Sequence, residues 1–283
     1  MQRILSIQSS VAYGHVGNSA ATFPLMRVGI EVLPVITVHF SNHTGYGSWR
    51  GPLLAPSDVA DVIKGIDERG ALAHCDAVLS GYTGDVGICG VVHDAVDLVR
   101  QRHPGALYCC DPVIGDEHEG VYVGPGIPEL IRDTLVPLAD IATPNQFELA
   151  QLTGAPTSGA DDVLGAADAL RSHGPGTVLV TSVTAGTPPD RLAMVIVTEN
   201  GAWRVETPRV MRTFTGTGDL TSAMLLARLL HGDGPDAALG HTAAVLYAVC
   251  RITAESGESE LQLVAAQDQL LSPRDTFPVV RIR

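Results

Sequence analysis

Short, nearly unbroken apolar runs rich in β-branched residues recur along the first two thirds of the chain, at 3–9, 31–40, 76–82, 106–113, 140–145 and 177–183. Runs that lack polar alternation predict strands covered on both faces. Between several of them, at 57–70, 85–103 and 161–174, the pattern is helical, with Ser57 and Asp161 as expected N-caps and Gly70 and Gly174 as expected stops. Alternation of this kind predicts right-handed crossovers and a doubly wound, mostly parallel sheet between two helical layers. After residue 183 the period changes. Two alternating runs within 191–208 flank Glu199, Asn200 and Gly201, and Asn-Gly between such runs predicts a hairpin, placed as an antiparallel extension at one sheet edge. From Gly216 onward, 216–232, 236–257 and 258–271 are expected to be helical. No repeat, low-complexity tract or linker divides the chain, so one α/β domain is expected to span 1–283.

Composition narrows the partners. The 283 residues are 45% hydrophobic, and 18 Lys plus Arg face 31 Asp plus Glu, a net charge of −13. Such a balance argues against binding nucleic acid through its phosphates and favours a small molecule. The single lysine, Lys64, lies outside any G-x-x-x-x-G-K-[ST] run, which excludes a P-loop NTPase. Cys75, Cys89, Cys109, Cys110 and Cys250 form no C-x-x-C pair and no even set, so a reducing compartment is expected. Neither a signal peptide nor a long apolar run is evident, and the protein is expected to be cytoplasmic and free of the membrane.

The richest segment is 213–232, TFTGTGDLTSAMLLARLLHG. Gly216 and Gly218 allow an anion to approach the backbone closely, and the helix starting there offers free N–H groups at its positive end, a phosphate site. Asp219 falls in its first turn, where an acidic residue also helps a helix with no catalytic part. Further polar groups stand at the expected carboxyl ends of strands, where open α/β sheets bind ligands. These are Asp111 in Asp-Pro-Val, and Thr143-Pro144-Asn145 with Glu148 three residues on. Two carboxylates and an amide suit a hydrated Mg²⁺ that takes its other oxygens from phosphates. Equally, Asp111 before proline is a turn residue, and Asn145 with Glu148 is a capping box. Ser9 and Ser10 end the first strand, and FSNHTGYG (40–47) follows the second. His43, Thr44, Tyr46 and, in SGYTG, Tyr82 suit an aromatic, hydrogen-bonding small molecule, although such clusters are also ordinary turn chemistry and Tyr82 fits a core.

In order along the chain, SIQSSVAYGHVGNSAATFPLMRVGIEV, FSNHTGYG, DAVLSGYTG, CDPVIGD, TPNQFELAQLTG, VLVTS and FTGTGDLTSAMLLARLL resemble the pyridoxal kinases of the ribokinase-like superfamily. GHVGNSAA with FSNHTGYG is particular to that family; GTGD, DPV and PNxxE are shared more widely. The resemblance implies a three-layer α/β/α sandwich and ATP-dependent phosphorylation of the 5′-hydroxyl of pyridoxal to pyridoxal 5′-phosphate, with Mg²⁺ and a monovalent cation. It also implies a homodimer. Ser9, His43, Thr44, Gly45 and Tyr82 would then meet the substrate, and Asp219 would be the catalytic base. Asp111, Thr143, Asn145 and Glu148 would serve nucleotide and metal, the last carboxylate sharing the metal with Asp111. Thr181 and Ser182 would touch the phosphates, Thr207, Pro208, Arg209 and Val210 the adenine side, and Thr215, Gly216, Thr217 and Gly218 would cradle the phosphoryl group. Thr181 stands where one bacterial group carries lysine, and Val121 where some members carry a reactive cysteine, so no covalent hold on the aldehyde is expected. The stretch 116–126 is expected to act as a lid. A hydroxymethylpyrimidine kinase is the nearest alternative, against which FSNHTGYG weighs; a noncatalytic vitamin B6 carrier is another, against which the intact GTGD speaks. A nicotinamide dehydrogenase lacks its G-x-G-x-x-G after the first strand.

Overall fold

The structure is a computed structural model that describes residues 1–283. The chain runs through β1 (Arg3–Val11), α1 (Asn18–Arg27), β2 (Glu31–Phe40), α2 (Pro56–Glu68), β3 (Ala77–Ser80), α3 (Val86–Arg102) and β4 (Leu107–Cys110). A small ribbon, β5 (Gly115–Asp116) with β6 (Gly120–Val121), precedes α4 (Ile127–Leu130), β7 (Ile141–Ala142), α5 (Gln146–Thr153), α6 (Ala160–Arg171) and β8 (Thr177–Val183). Then come β9 (Arg191–Thr198), β10 (Gly201–Pro208), α7 (Thr217–Leu230), α8 (Pro235–Ser256), α9 (Gln267–Leu271) and β11 (Val279–Arg281).

One sheet holds nine strands in the order β11-β10-β9-β8-β7-β4-β3-β1-β2. Pairing is parallel from β2 to β8, whereas β9 runs antiparallel to β8 and to β10. The unbroken apolar runs have a direct cause: neighbouring residues of one strand enter different cores. Leu5, Val78, Tyr108 and Val180 pack beneath α2, α3, α5 and α6, while Ile4, Leu79, Cys109 and Leu179 pack beneath α1, α7 and α8. The result is the expected three-layer α/β/α sandwich.

Several boundaries depart from expectation. Helix α2 starts at Pro56, whose missing N–H suits a first turn, and Ala55 rather than Ser57 occupies the cap. Gly159 caps α6, with Asp162 accepting its N–H at 2.8 Å, so Asp161 lies inside the first turn. The hairpin is not the sheet edge, because β11 pairs with β10 outside it. Of the helix expected over 258–271 only Gln267–Leu271 forms, since Glu260, Leu261 and Leu263 are drawn into the protein from an irregular segment. Helix α8 is long and apolar enough to cross a membrane by length and composition, yet 56% of its apolar window is buried within the fold.

Candidate functional site

The parallel strands all end on one side of the sheet, and the strand order reverses between β1 and β3, which opens a crevice there. Ser9 and Tyr82 belong to those two neighbouring strand ends. Ser9 is buried, and the loop after β1 lies directly on it: a Cβ on Gly17, at φ +54°, would stand 2.3 Å from both the Ser9 carbonyl and its hydroxyl oxygen. Tyr82 packs against Val11, Val16, Val38 and Phe40, and its carbonyl accepts from the Thr37 hydroxyl at 2.8 Å. Burial raises its phenol pKa. Beyond β2 a single 3-10 turn, Thr44–Tyr46, begins at His43, whose Nδ1 accepts from the Gly45 N–H at 3.1 Å. Burial lowers the His43 pKa, opposed by Glu119 of the ribbon and by Glu260.

On the other side of the crevice, β4 leads directly into Asp111. Its carboxylate lies among the Ser222 and Thr143 hydroxyls, which are 2.7 Å apart, but its Oδ2 is buried with no partner. At the end of β7, Asn145 and Glu148 form the expected capping box of α5. Glu148 also accepts from the N–H groups of Ile114 at 2.9 Å and Asn145 at 2.9 Å, and the Asn145 amide donates to the Gly115 carbonyl at 2.8 Å. Both ends of the Asn145 side chain are therefore engaged within the protein. Thr181 is buried beside Asn145, and Ser182 follows at a β-bulge with φ +53°, the one non-glycine positive φ in the chain. Thr207 and Pro208 end β10, two strands further along the same edge, and the Arg209 N–H donates to the Asp190 carbonyl at 2.8 Å. Val210 is half-buried beyond them.

Helix α7 joins the two sides. Gly216, at φ +82°, precedes it without a side-chain cap, which leaves the first-turn N–H groups of Thr217 and Gly218 for a ligand. Only glycine fits there, since a Cβ on Gly216 would stand 1.8 Å from the His15 carbonyl oxygen. Thr215 is half-buried ahead of it. Asp219 faces Gly17, whose N–H, with its own, favours the carboxylate; burial outweighs both and raises its pKa. Ser9, Gly17 and Asp219 thus form one continuous surface with Asp111 nearby.

Asp111, Glu148 and Asp219 all have raised pKa values, Glu148 to about 7, with burial the largest cause and mutual repulsion adding at Asp111. No arginine or lysine figures among the groups that shift them. Uncompensated negative charge and the unpartnered Asp111 oxygen fit a divalent cation. No three His, Cys, Asp or Glu side chains converge enough to hold one alone, so phosphates and water must supply most ligands.

Pattern missed several members of the site. Tyr122, in the expected lid next to β6, is 44% exposed and feels the charge of Glu148, Asp219 and Asp111. His15, inside GHVGNSAA though not singled out there, and Glu260, which no local motif marks, complete the list.

An uncapped helix start between a carboxylate-lined strand end and a hydroxyl-lined one, on this sheet, defines a ribokinase-like phosphotransferase. The model of the phosphomethylpyrimidine kinase family matches residues 59–263. Pyridoxal kinase PdxY of Rubrobacter xylanophilus is 54% identical over 281 residues, covering 99% of this chain and 97% of that one, and its namesake from Leifsonia xyli is 51% identical over 284 residues, 99% of each. Pyridoxal kinase from Leishmania donovani in complex with ADP and ginkgotoxin superposes with a TM-score of 0.94 at 30% identity, covering 100% of both chains. The chain belongs to the pyridoxal kinase family.

Proposed function

We propose that the protein transfers the γ-phosphoryl group of ATP to the 5′-hydroxyl of pyridoxal, forming pyridoxal 5′-phosphate in the cytoplasm. The observation that carries this is the position of Asp219, the first-turn residue of α7 that faces Gly17, itself packed on Ser9, on one side while Gly218 faces Asp111 on the other. Phosphoryl transfer requires in-line placement and neutralised charge more than covalent chemistry. Ser9, His43, Thr44, Gly45 and Tyr82 hold the pyridine alcohol. The N–H groups of Gly216, Thr217 and Gly218 stabilise the moving phosphoryl group, and Asp219 takes the hydroxyl proton as the bond forms. Burial brings the Asp219 pKa closer to neutrality and makes it a stronger base than an exposed aspartate. Thr143, Thr181, Ser182 and residues 207–210 line the nucleotide side. Mg²⁺ fits at Asp111, with Glu148 behind it, where it would offset phosphate charge; a monovalent cation and a homodimer are proposed as in the family.

The test is ATP-dependent formation of pyridoxal 5′-phosphate by the purified protein, with hydroxymethylpyrimidine assayed in parallel. Preferential turnover of pyridoxal supports the proposal. Preference for the pyrimidine, or pyridoxal binding without turnover, overturns it.

A further inference from the structure

Glu260 is a buried carboxylate that the proposed chemistry does not use. It lies four residues beyond α8 and is only 7% exposed, and its hydrogen-bond partners are neutral groups from far away in the chain. Oε2 accepts the His15 backbone N–H at 3.1 Å, and Oε1 accepts the Tyr46 phenol at 2.6 Å. The same phenol oxygen lies 3.0 Å from the Ser259 hydroxyl. The loop after β1 is shaped for this contact: Gly14 sits at φ +98°, and a Cβ there would stand 2.2 Å from Glu260 Oε2. The next residue, Leu261, is buried with Leu220 and Met224 of α7 and approaches to 3.4 Å of where a Gly216 Cβ would be. One short segment therefore touches the turn after β2, the loop that overlies Ser9 and the start of α7.

We propose that Glu260 is a positioning residue for the acceptor alcohol. It fixes the turn bearing His43, Thr44 and Gly45 relative to Ser9 and Asp219. The inference rests on the kinase assignment above. A short bond to a buried carboxylate is among the stronger hydrogen bonds, and removal of one limb leaves the other partner without its anchor. Nucleotide groups on β4, β7 and β8 lie across the crevice, and the start of α7 meets this segment through Leu261, so neither is held by the Glu260 carboxylate.

The experiment compares the wild-type protein with Glu260→Gln, Tyr46→Phe and the double variant. Glu260→Gln preserves the side-chain shape, and Tyr46→Phe alters a half-exposed ring, so both fold. In each, KM for pyridoxal rises about tenfold while kcat and KM for ATP stay within about twofold, and the double variant is no worse than the worse single one. Amide exchange over residues 43–48 in ligand-free protein accelerates about tenfold in both. Unchanged KM for pyridoxal, a parallel rise in KM for ATP, or multiplying effects in the double variant would overturn the role. If the wild type fails to phosphorylate pyridoxal, the kinase assignment falls, and the role of Glu260 toward that alcohol falls with it. Amide exchange then still reports whether the mechanical link exists, and unchanged exchange removes that too.

Discussion

The two sides of the strand-end crevice are built by different means. On the proposed nucleotide side, Asp111, Thr143, Glu148 and Thr181 are all buried, and Glu148 combines its local capping bonds to Asn145 with bonds from the N–H groups of Ile114 and Gly115 beyond β4. On the proposed alcohol side, His43, Thr44 and Gly45 stand on a short turn whose tether reaches Glu260, 214 residues from Tyr46. The proposed phosphate handling thus draws largely on helix starts and capping, which many sequences can supply locally, with one contact from the loop after β4. The proposed acceptor recognition depends on tertiary contacts between loops far apart in the chain. Mutations should accordingly separate into two classes.

The largest effect is expected where the sides meet. Asp219→Asn keeps the shape and still accepts the Gly17 N–H but cannot take a proton, so kcat should fall roughly a thousandfold. Nucleotide binding, measured by titration with ADP, should stay within about threefold. Retention of more than a few per cent of activity would remove Asp219 from the role of base.

The buried carboxylates predict an unusual pH response of the ligand-free fold. Glu148 has its pKa raised from 4.5 to about 7, mainly by burial. Because the raised value belongs to the folded state, its stabilising contribution is fully present below about pH 4.5 and is lost as pH rises through about 7. The contribution is about 3 kcal/mol. Denaturant unfolding from pH 5 to 8 should show stability declining over this range, and Glu148→Gln should flatten the decline. An equal slope in the variant would place the titrating group elsewhere.

How much of this the sequence reveals follows the same division. Strands β1, β3, β4 and β8 are legible because each is covered on both faces, so their runs are unbroken. Helix α1 gives little local signal: it starts after Gly17 without a capping side chain and contains Pro24. Strand β11 has three residues and is recruited by β10 alone. In the site, Asp219 and the Asn145–Glu148 pair announce themselves by motif, since helix starts have a local grammar. Glu260 sits in a stretch whose pattern suggests helix, and its partners His15 and Tyr46 lie more than two hundred residues away. Nothing within a local window records a contact of that range.

Tyr82→Ala tests the alcohol side alone. Loss of a ring from the wall formed with Val11, Val16, Val38 and Phe40 should raise KM for pyridoxal about tenfold, in line with the value of an aromatic contact. KM for ATP should not move. A shared rise would mean that the two sides are mechanically coupled through β3.

The smallest effect should come from the nucleotide side. Thr181 is buried at the end of β8, its N–H donates to the Pro144 carbonyl at 2.9 Å, and the positive φ of Ser182 turns the strand away immediately after it. The backbone there is thus fixed independently of the hydroxyl. Thr181→Val keeps the β-branched shape and removes only the hydroxyl, so one hydroxyl donor to a phosphate is lost; with water able to take its place the loss is worth about 1 kcal/mol. KM for ATP should rise about fivefold, while KM for pyridoxal and the unfolding midpoint stay unchanged. An altered KM for pyridoxal would break the comparison, because a residue four strands from β1 would then be reaching the alcohol.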